Sequence, residues 1–275
     1  MKKNVLATFC GAAFLMSIAG IAQATTVSSF DPAFTANGQW YASDVRTGGS
    51  ATIVSLIGLG GNLETAQPLP TGAAMLTTDN TNAAKAEVAV ADSYGRAGDI
   101  LRSLVLSYDY YRSNLASGNQ AAAPSLKLTF FNAGYAGDGF VTLVYEPYWQ
   151  TGAAVNPASD LWTAVDIDFD TGLFWQNGGF GQANSAGGPP LKTLEGWLGA
   201  FDSGFQDALL VSVGMGVGTY NPGQVDYFDD VRISHSFGQG YAAAYDFEAA
   251  TVPEPLSLAL VGTGLVGLAG LRRKA

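Results

Sequence analysis

Apolar and polar residues alternate along many segments of this chain, and this two-residue period is what most limits its possible folds. In the segment LRSLVLSYDYY, Leu104, Leu106 and Tyr108 fall on one face. Ser107 and Asp109 fall on the opposite face, as expected for a strand that is buried on one side. Similar runs occupy residues 51–59, 86–92, 126–132, 139–146, 161–169, 208–216, 227–234 and 241–248. Many short strands of this kind predict two packed antiparallel sheets.

One stretch has helical spacing instead. Leu191, Leu194 and Leu198 recur at intervals of three and four residues, which is the period of an amphipathic helix. The breaker Pro189-Pro190 precedes them and separates this stretch from the loop before it. The sequence therefore predicts one short helix that covers part of an otherwise all-β domain.

The N-terminal residues have the composition of a secretory signal peptide. Lys2 and Lys3 precede an apolar stretch at 5–21, and the small-residue pattern Ala-Gln-Ala follows at 22–24. This order predicts a signal peptide at 1–24 that a signal peptidase removes, with an uncleaved N-terminal anchor as the alternative.

Removal of that segment leaves an acidic chain without cysteine. Cys10, the only cysteine, lies inside it, so no disulfide is expected. Five of the 13 lysine and arginine residues and one of the 23 acidic residues lie outside 25–251, which leaves 8 cations against 22 carboxylates. A surface of about −14 repels phosphates, so nucleic acid is excluded as a partner.

The C-terminal end carries a short apolar stretch. Residues 256–271 contain no charge and would extend about 24 Å as a helix, against about 30 Å of hydrocarbon. Arg272, Arg273 and Lys274 follow directly and would stay on the cytoplasmic side of a membrane. We therefore expect a short transmembrane helix that holds the preceding domain outside.

The residues before this stretch define a motif, in the order Val252, Pro253, Glu254, Pro255. With the apolar stretch and the basic end at 272–274, the motif resembles the PEP-CTERM sorting signal of exopolysaccharide-producing Gram-negative bacteria. The resemblance implies transient inner-membrane insertion, cleavage by an exosortase, and delivery to the cell surface or extracellular matrix. It assigns 249–275 to the sorting signal, with a plain tail anchor as the alternative.

The body resembles a second family through four segments: SLVLSYDYYR, LVYEPYWQ, DLWTAVDIDFDTGLFW and YFDDVRIS. They are similar to the jelly-roll domain of many PEP-CTERM proteins and to carbohydrate-binding modules of the same sandwich type. The resemblance implies an all-β domain at 25–248, a two-sheet antiparallel jelly-roll sandwich with one short helix.

Aromatic residues next to polar side chains suggest where a sugar would bind. Tyr148 and Trp149 offer flat rings for stacking, and Glu146 and Gln150 offer groups that bind hydroxyls. Further aromatic residues that are weaker candidates are Trp162, Phe174 and Trp175. Packing in the core explains aromatic residues of a large sandwich equally well, so both interpretations stay open.

Acidic residues near the two ends of the domain suggest a structural calcium ion, although no cofactor is required. The jelly-roll resemblance implies an ion that ties the first strand to the last, and Asp31, Asp229 and Asp230 are suitably placed in the sequence. Alternation sends Asp229 and Asp230 to opposite faces, so at most one of them is a ligand. The alternative is that all three are ordinary carboxylates of turns and edges.

Residue types for catalysis are scarce, and we expect a non-catalytic protein. His235 is the only histidine, and no Gly-x-Ser-x-Gly motif is present. Three hypotheses remain: a surface or matrix protein that binds extracellular polysaccharide, a purely structural protein that self-associates, or a carbohydrate-active hydrolase. The hydrolase would need two carboxylates about 5 to 9.5 Å apart in one cleft.

Overall fold

The computed structural model describes residues 23–115 and 118–250, which form two packed β-sheets. Residues 1–22 of the predicted signal peptide, the motif at 252–255, the apolar stretch at 256–271 and the basic end at 272–274 lie outside the described residues. In chain order the strands are β1 Thr25–Val27, β2 Trp40–Ala42, β3 Gly49–Ser55, β4 Gly72–Thr78, β5 Ala86–Arg96, β6 Val105–Arg112, β7 Ser125–Phe131, β8 Phe140–Tyr145, β9 Trp162–Ile167, β10 Phe174–Gln176, β11 Leu209–Val217, β12 Val225–His235 and β13 Tyr241–Phe247. The α-helices are α1 Gly61–Thr65, α2 Ala97–Ile100 and α3 Leu194–Ala200.

The two sheets contain seven and six strands. The seven-stranded sheet runs β1-β13-β12-β4-β3, and β12 also pairs with β6, which pairs with β9. The six-stranded sheet runs β10-β8-β7-β11-β5-β2. All these pairs are antiparallel except β1 with β13. The predicted all-β, two-sheet antiparallel sandwich of jelly-roll type is confirmed.

The core lies between the sheets and follows the predicted alternation. On β7, Leu126, Leu128 and Phe130 are fully buried. Lys127 and Thr129, between them, point to the opposite face of the six-stranded sheet. We call this opposite face, which is turned away from the core, the outer face. Its residues are therefore free to form a binding surface.

The helix predicted from the leucine spacing is present as α3. The hydroxyl of Thr193 accepts a hydrogen bond from the Gly196 amide and caps its first turn. Trp197 is fully buried, and its indole N–H donates to the Phe174 carbonyl over 2.8 Å. The helix therefore fixes β10 at the edge of the six-stranded sheet.

Within the described residues, none of the helices is long and apolar enough to cross a membrane.

Candidate functional site

A groove of about 540 Å³ lies over the outer face of the six-stranded sheet. Its floor includes Lys127 of β7, Val144 of β8 and Gly216 of β11, and its walls come from the connecting loops. Ligand pockets in proteins commonly have volumes of about 300–1,000 Å³. The groove is therefore large enough to hold part of a small molecule or of an extended polymer.

Aromatic rings line the groove on two sides. Tyr148 and Trp149 lie on the 3-10 turn after β8, with ring centroids 4.8 Å apart and planes at 73°. Trp175 of β10 lines the same side, whereas Tyr220 follows β11 and is 73% exposed. Because β8 and β7 lie between β10 and β11, the two sides are about 14 Å apart at the usual strand spacing. The structure thus brings the predicted sugar-binding residues Tyr148 and Trp149 into one groove with two further rings.

Gln150 holds the aromatic turn in place. Its amide nitrogen donates to the carbonyls of Glu146 and Leu173 over 2.8 and 3.0 Å. Its amide oxygen accepts from the Leu173 amide over 2.8 Å. These three bonds engage the side chain, and Gln150 is not among the residues that line the groove, so sugar binding by Gln150 stays a prediction that the geometry does not support. Its amide positions Tyr148 and Trp149 instead.

Glu146 lines the groove beside these rings, as predicted. Burial raises the pKa of its carboxyl. This shift is opposed by the nearby indole of Trp175, by the charge of Lys127 and by the indole of Trp149. The Trp175 N–H lies near the carboxyl but forms no hydrogen bond to a described residue. The carboxyl therefore keeps its proton to higher pH than an exposed glutamate does, and a protonated carboxyl can donate a hydrogen bond as well as accept one.

The other aromatic candidates divide between the core and the groove. Phe174 is fully buried. Trp162 is also buried, and its indole N–H donates to the Leu63 carbonyl over 3.1 Å. Packing explains both, so sugar contact at these two positions is contradicted. Trp175 alternates to the outer face and joins the groove.

A chain of alternating charges crosses the outer face, and sequence reasoning missed it. Lys127 binds Glu87, and Lys85 binds Glu87 over 2.9 Å and Asp44 over 2.7 Å. Arg46 completes the chain by binding Asp44 over 2.8 Å. The Arg46 hydrogen bond and the charge of Lys85 lower the pKa of Asp44 to about 2, against the effect of burial. One signal was available, because Lys127 is the only charged residue of β7.

The residues predicted to bind calcium have other partners. The Asp31 carboxylate accepts from a neighbouring threonine hydroxyl, and Asp230 binds Arg232 over 2.8 Å. Asp229 is fully buried and accepts from the Phe247 amide over 3.0 Å. In the described part of the chain, no three His, Cys, Asp or Glu side chains are arranged to hold a metal ion. The structure does not gather these residues into a cluster, and calcium binding stays a prediction.

Comparison with known proteins gives one match to a sequence motif and several solved structures of low similarity. Residues 251–274 match the PEP-CTERM protein-sorting motif. No curated protein matches the chain. Among solved structures, the family 11 carbohydrate-binding module of the cellulase Lic26A-Cel5E of Clostridium thermocellum is 13% identical with a TM-score of 0.38, covering 74% of this chain and 91% of the module.

Two further structures are similar at comparable levels. The carbohydrate-binding module TmCBM27, known for specific mannan recognition, is 12% identical with a TM-score of 0.29, covering 72% of this chain and 88% of the module. The endo-β-1,4-glucuronan lyase of Trichoderma reesei is 13% identical with a TM-score of 0.39, covering 78% of this chain and all of the lyase. The chain therefore carries a PEP-CTERM protein-sorting motif, which indicates export and surface sorting by an exosortase, behind a β-sandwich of jelly-roll type.

Proposed function

We propose that this chain is a non-catalytic protein of the cell surface or extracellular matrix that binds extracellular polysaccharide in the groove. The observation that carries the proposal is the placement of Tyr148, Trp149, Trp175 and Tyr220 around one groove on the outer face. A concave groove lined by aromatic rings and a few polar side chains is typical of a ligand site, and a purely structural sandwich does not require one. The self-associating alternative is therefore less well supported.

The lining of the groove suits a sugar chain. Aromatic rings offer apolar area to the faces of sugar rings at a low cost in conformational entropy. Asn119 and Asn221 line the groove and bind each other through their amides over 2.8 Å, which fixes their orientation before a ligand arrives. Preorganised polar groups of this kind give orientation and specificity to a mainly apolar site.

The carboxylates of the groove support binding more than hydrolysis. Glycoside hydrolysis by the usual mechanism needs two carboxyl groups on either side of the scissile bond. Among the described residues, Glu146 is the one carboxyl group that lines the groove. The nearby Glu87 is already bound by Lys127 and Lys85. A hydrolase would therefore lack a free second carboxylate at this site.

The proposal is tested by removing the ring of Trp149. Trp149→Ala is expected to weaken polysaccharide binding by about tenfold or more, because loss of a central aromatic contact commonly costs at least about 1.4 kcal/mol. The measurement is affinity gel electrophoresis of the full-length chain through soluble polysaccharides, including material extracted from the producing organism.

Phe237→Ala is the matched control, since Phe237 is 51% exposed but lies between β12 and β13, away from the groove. It should bind like the unmodified chain. The proposal is wrong if no polysaccharide retards the unmodified chain, or if Trp149→Ala is retarded as strongly as Phe237→Ala. Release of reducing sugar that disappears in Glu146→Gln would overturn the non-catalytic part.

A further inference from the structure

Positive charge is concentrated at the groove of an otherwise acidic domain. Between residues 23 and 250 the chain has 8 lysine and arginine residues and 22 aspartate and glutamate residues. Three of those cations, Arg46, Lys85 and Lys127, line the groove, and Glu146 is the one acidic residue that does. If the charged residues of the domain were distributed at random, most of those that line the groove would be carboxylates. The cations therefore need an explanation of their own.

The carboxylates that bind these cations do not line the groove. Asp44 and Glu87 contact the three cations but are absent from its lining. Three positive and two negative side chains leave this charge chain with one net positive charge. The positive groups thus face the groove, and their negative partners hold them in position from outside it.

The two lysines keep donors for a further partner. An ammonium group has three N–H donors. Within residues 23–115 and 118–250, Lys127 binds one carboxylate, that of Glu87, and Lys85 binds two, those of Glu87 and Asp44. Their side chains are only 12% and 16% exposed, so water satisfies the remaining donors poorly. An anionic group in the groove would supply acceptors for these donors, and the lysines have already lost most of their contact with water in the folded chain.

Arg46 and Glu146 complete an environment that suits an anion. The Arg46 side chain is 52% exposed and forms the accessible member of the charge chain. It is held in position by two bonds to Asp44, of 2.9 and 2.8 Å. The charge of Lys127 acts on the nearby Glu146 carboxyl, so the lysine partly offsets the repulsion that this carboxyl would exert on an anion.

We propose that the groove binds an acidic polysaccharide, whose sugar rings contact Trp149 and Tyr148 while a uronic carboxylate binds Lys127, Lys85 and Arg46. This inference rests on the proposed function, because it names the class of polysaccharide for the same site. The rest of the domain is acidic and repels a polyanion, so an acidic glycan is attracted to this groove and rejected elsewhere.

The test compares acidic polysaccharides with uncharged counterparts that have the same glycosidic backbone. The probes are homogalacturonan with its methyl ester, and β-1,4-glucuronan with a soluble neutral β-1,4-glucan, each presented to the full-length chain. At least one acidic form is expected to bind about tenfold more tightly than its neutral counterpart. Raising the salt from about 0.05 to 0.5 M should weaken the binding of that acidic form most, because salt screens the accessible charges.

Variants locate the effect within the groove. Lys127→Met is expected to reduce binding of the acidic form about tenfold, to the level of its neutral counterpart. Arg46 lies at the rim of the groove, so Arg46→Gln is expected to fold even if Lys127→Met does not. Arg46→Gln should reduce binding of the acidic form at least threefold. The matched control is Arg96→Gln, which removes the same charge from a side chain that is 61% exposed and outside the groove.

The outcomes separate this inference from the proposed function. Equal or tighter binding of the neutral forms, still lost in Trp149→Ala, would overturn the acidic ligand and keep a polysaccharide site. Equal losses in Arg46→Gln and Arg96→Gln would also overturn it, because general charge would then explain the binding. Failure to bind either acidic form would overturn the acidic ligand, and the polysaccharide site itself would be rejected only if material extracted from the producing organism also fails to retard the unmodified chain.

Discussion

Trp197→Ala is expected to lower the free energy of unfolding by about 3–5 kcal/mol, since removal of a large buried aromatic side chain leaves a cavity. Trp197 is fully buried and stacks on Phe201, with ring centroids 5.2 Å apart. Its indole N–H also satisfies the Phe174 carbonyl. Chemical denaturation of the full-length chain measures the loss.

The same substitution should affect the groove. β10 is an edge strand of three residues that pairs with β8, and its middle residue is Trp175. Without the bond from Trp197, this edge loses a tertiary contact that holds it, so polysaccharide binding should fall further than the unfolded fraction explains. Trp197→Phe is the control, because it keeps a ring but not the N–H, and should cost about 1–2 kcal/mol. A loss below about 1 kcal/mol in Trp197→Ala would contradict the anchoring role.

Arg112→Met should be nearly as damaging, at about 3–5 kcal/mol near pH 7, because it removes buried hydrogen bonds together with the positive charge that opposes the raised pKa of a buried carboxyl group. Arg112 of β6 lies opposite Asp226 of β12, and both side chains are buried. Neither carboxylate oxygen of Asp226 has a hydrogen-bond partner among the described residues. Arg112 also donates to Gln120 over 3.0 Å, which secures the loop whose Asn119 lines the groove.

The pH dependence of this variant has a definite sign. Burial raises the pKa of Asp226 well above its usual range, and Arg112 opposes this shift. Removal of Arg112 raises that pKa further above the unfolded value of about 4, so the folded state binds the proton more tightly. The contribution of Asp226 to the stability of the variant is therefore greatest below about pH 4 and declines as the pH rises. The difference in free energy of unfolding between the variant and the unmodified chain should accordingly become smaller in acid.

A second substitution provides the control for that explanation. Asp226→Asn in the Arg112→Met background removes the buried charge and should restore much of the lost stability at neutral pH. It should also reduce the difference in free energy of unfolding between acidic and neutral pH. Denaturant titrations of the four chains of this double-mutant cycle at about pH 5 and 8 supply the comparison. A deficit that is independent of pH and is not rescued would mean that Arg112 acts through its hydrogen bonds to Gln120 and the Pro157 carbonyl and not through its charge.

The sequence predicted the strands that have one buried face and one exposed face, because these alternate clearly. It missed β4, where Ala73, Ala74 and Leu76 are fully buried and Ala73 faces away from the main core. A strand covered on both faces has no polar side to reveal its period. It also missed β1, β2 and β10, which have three residues each and are too short to show alternation.

Parts of the site could be predicted because they are consecutive in the chain. Glu146, Tyr148 and Trp149 lie within four residues of one another, so their composition alone suggested a sugar site. Arg46 and Lys127 are far apart in sequence, and only the pairing of β5, β7 and β11 brings their segments together. Trp175 was only a weaker sugar-binding candidate, because β10 is too short for the outward orientation of its side chain to be read from the sequence.

The described chain ends close to the sorting motif. Only three residues, 248–250, separate Phe247 from the motif at 251, and they span about 10 Å at most. β13 belongs to the seven-stranded sheet, so the last described strand lies in the sheet that does not carry the groove. If the groove binds polysaccharide as proposed, copies sorted to one surface would offer several such grooves to the same glycan. A long glycan that reaches several copies would then bind with an avidity far above the affinity of one groove.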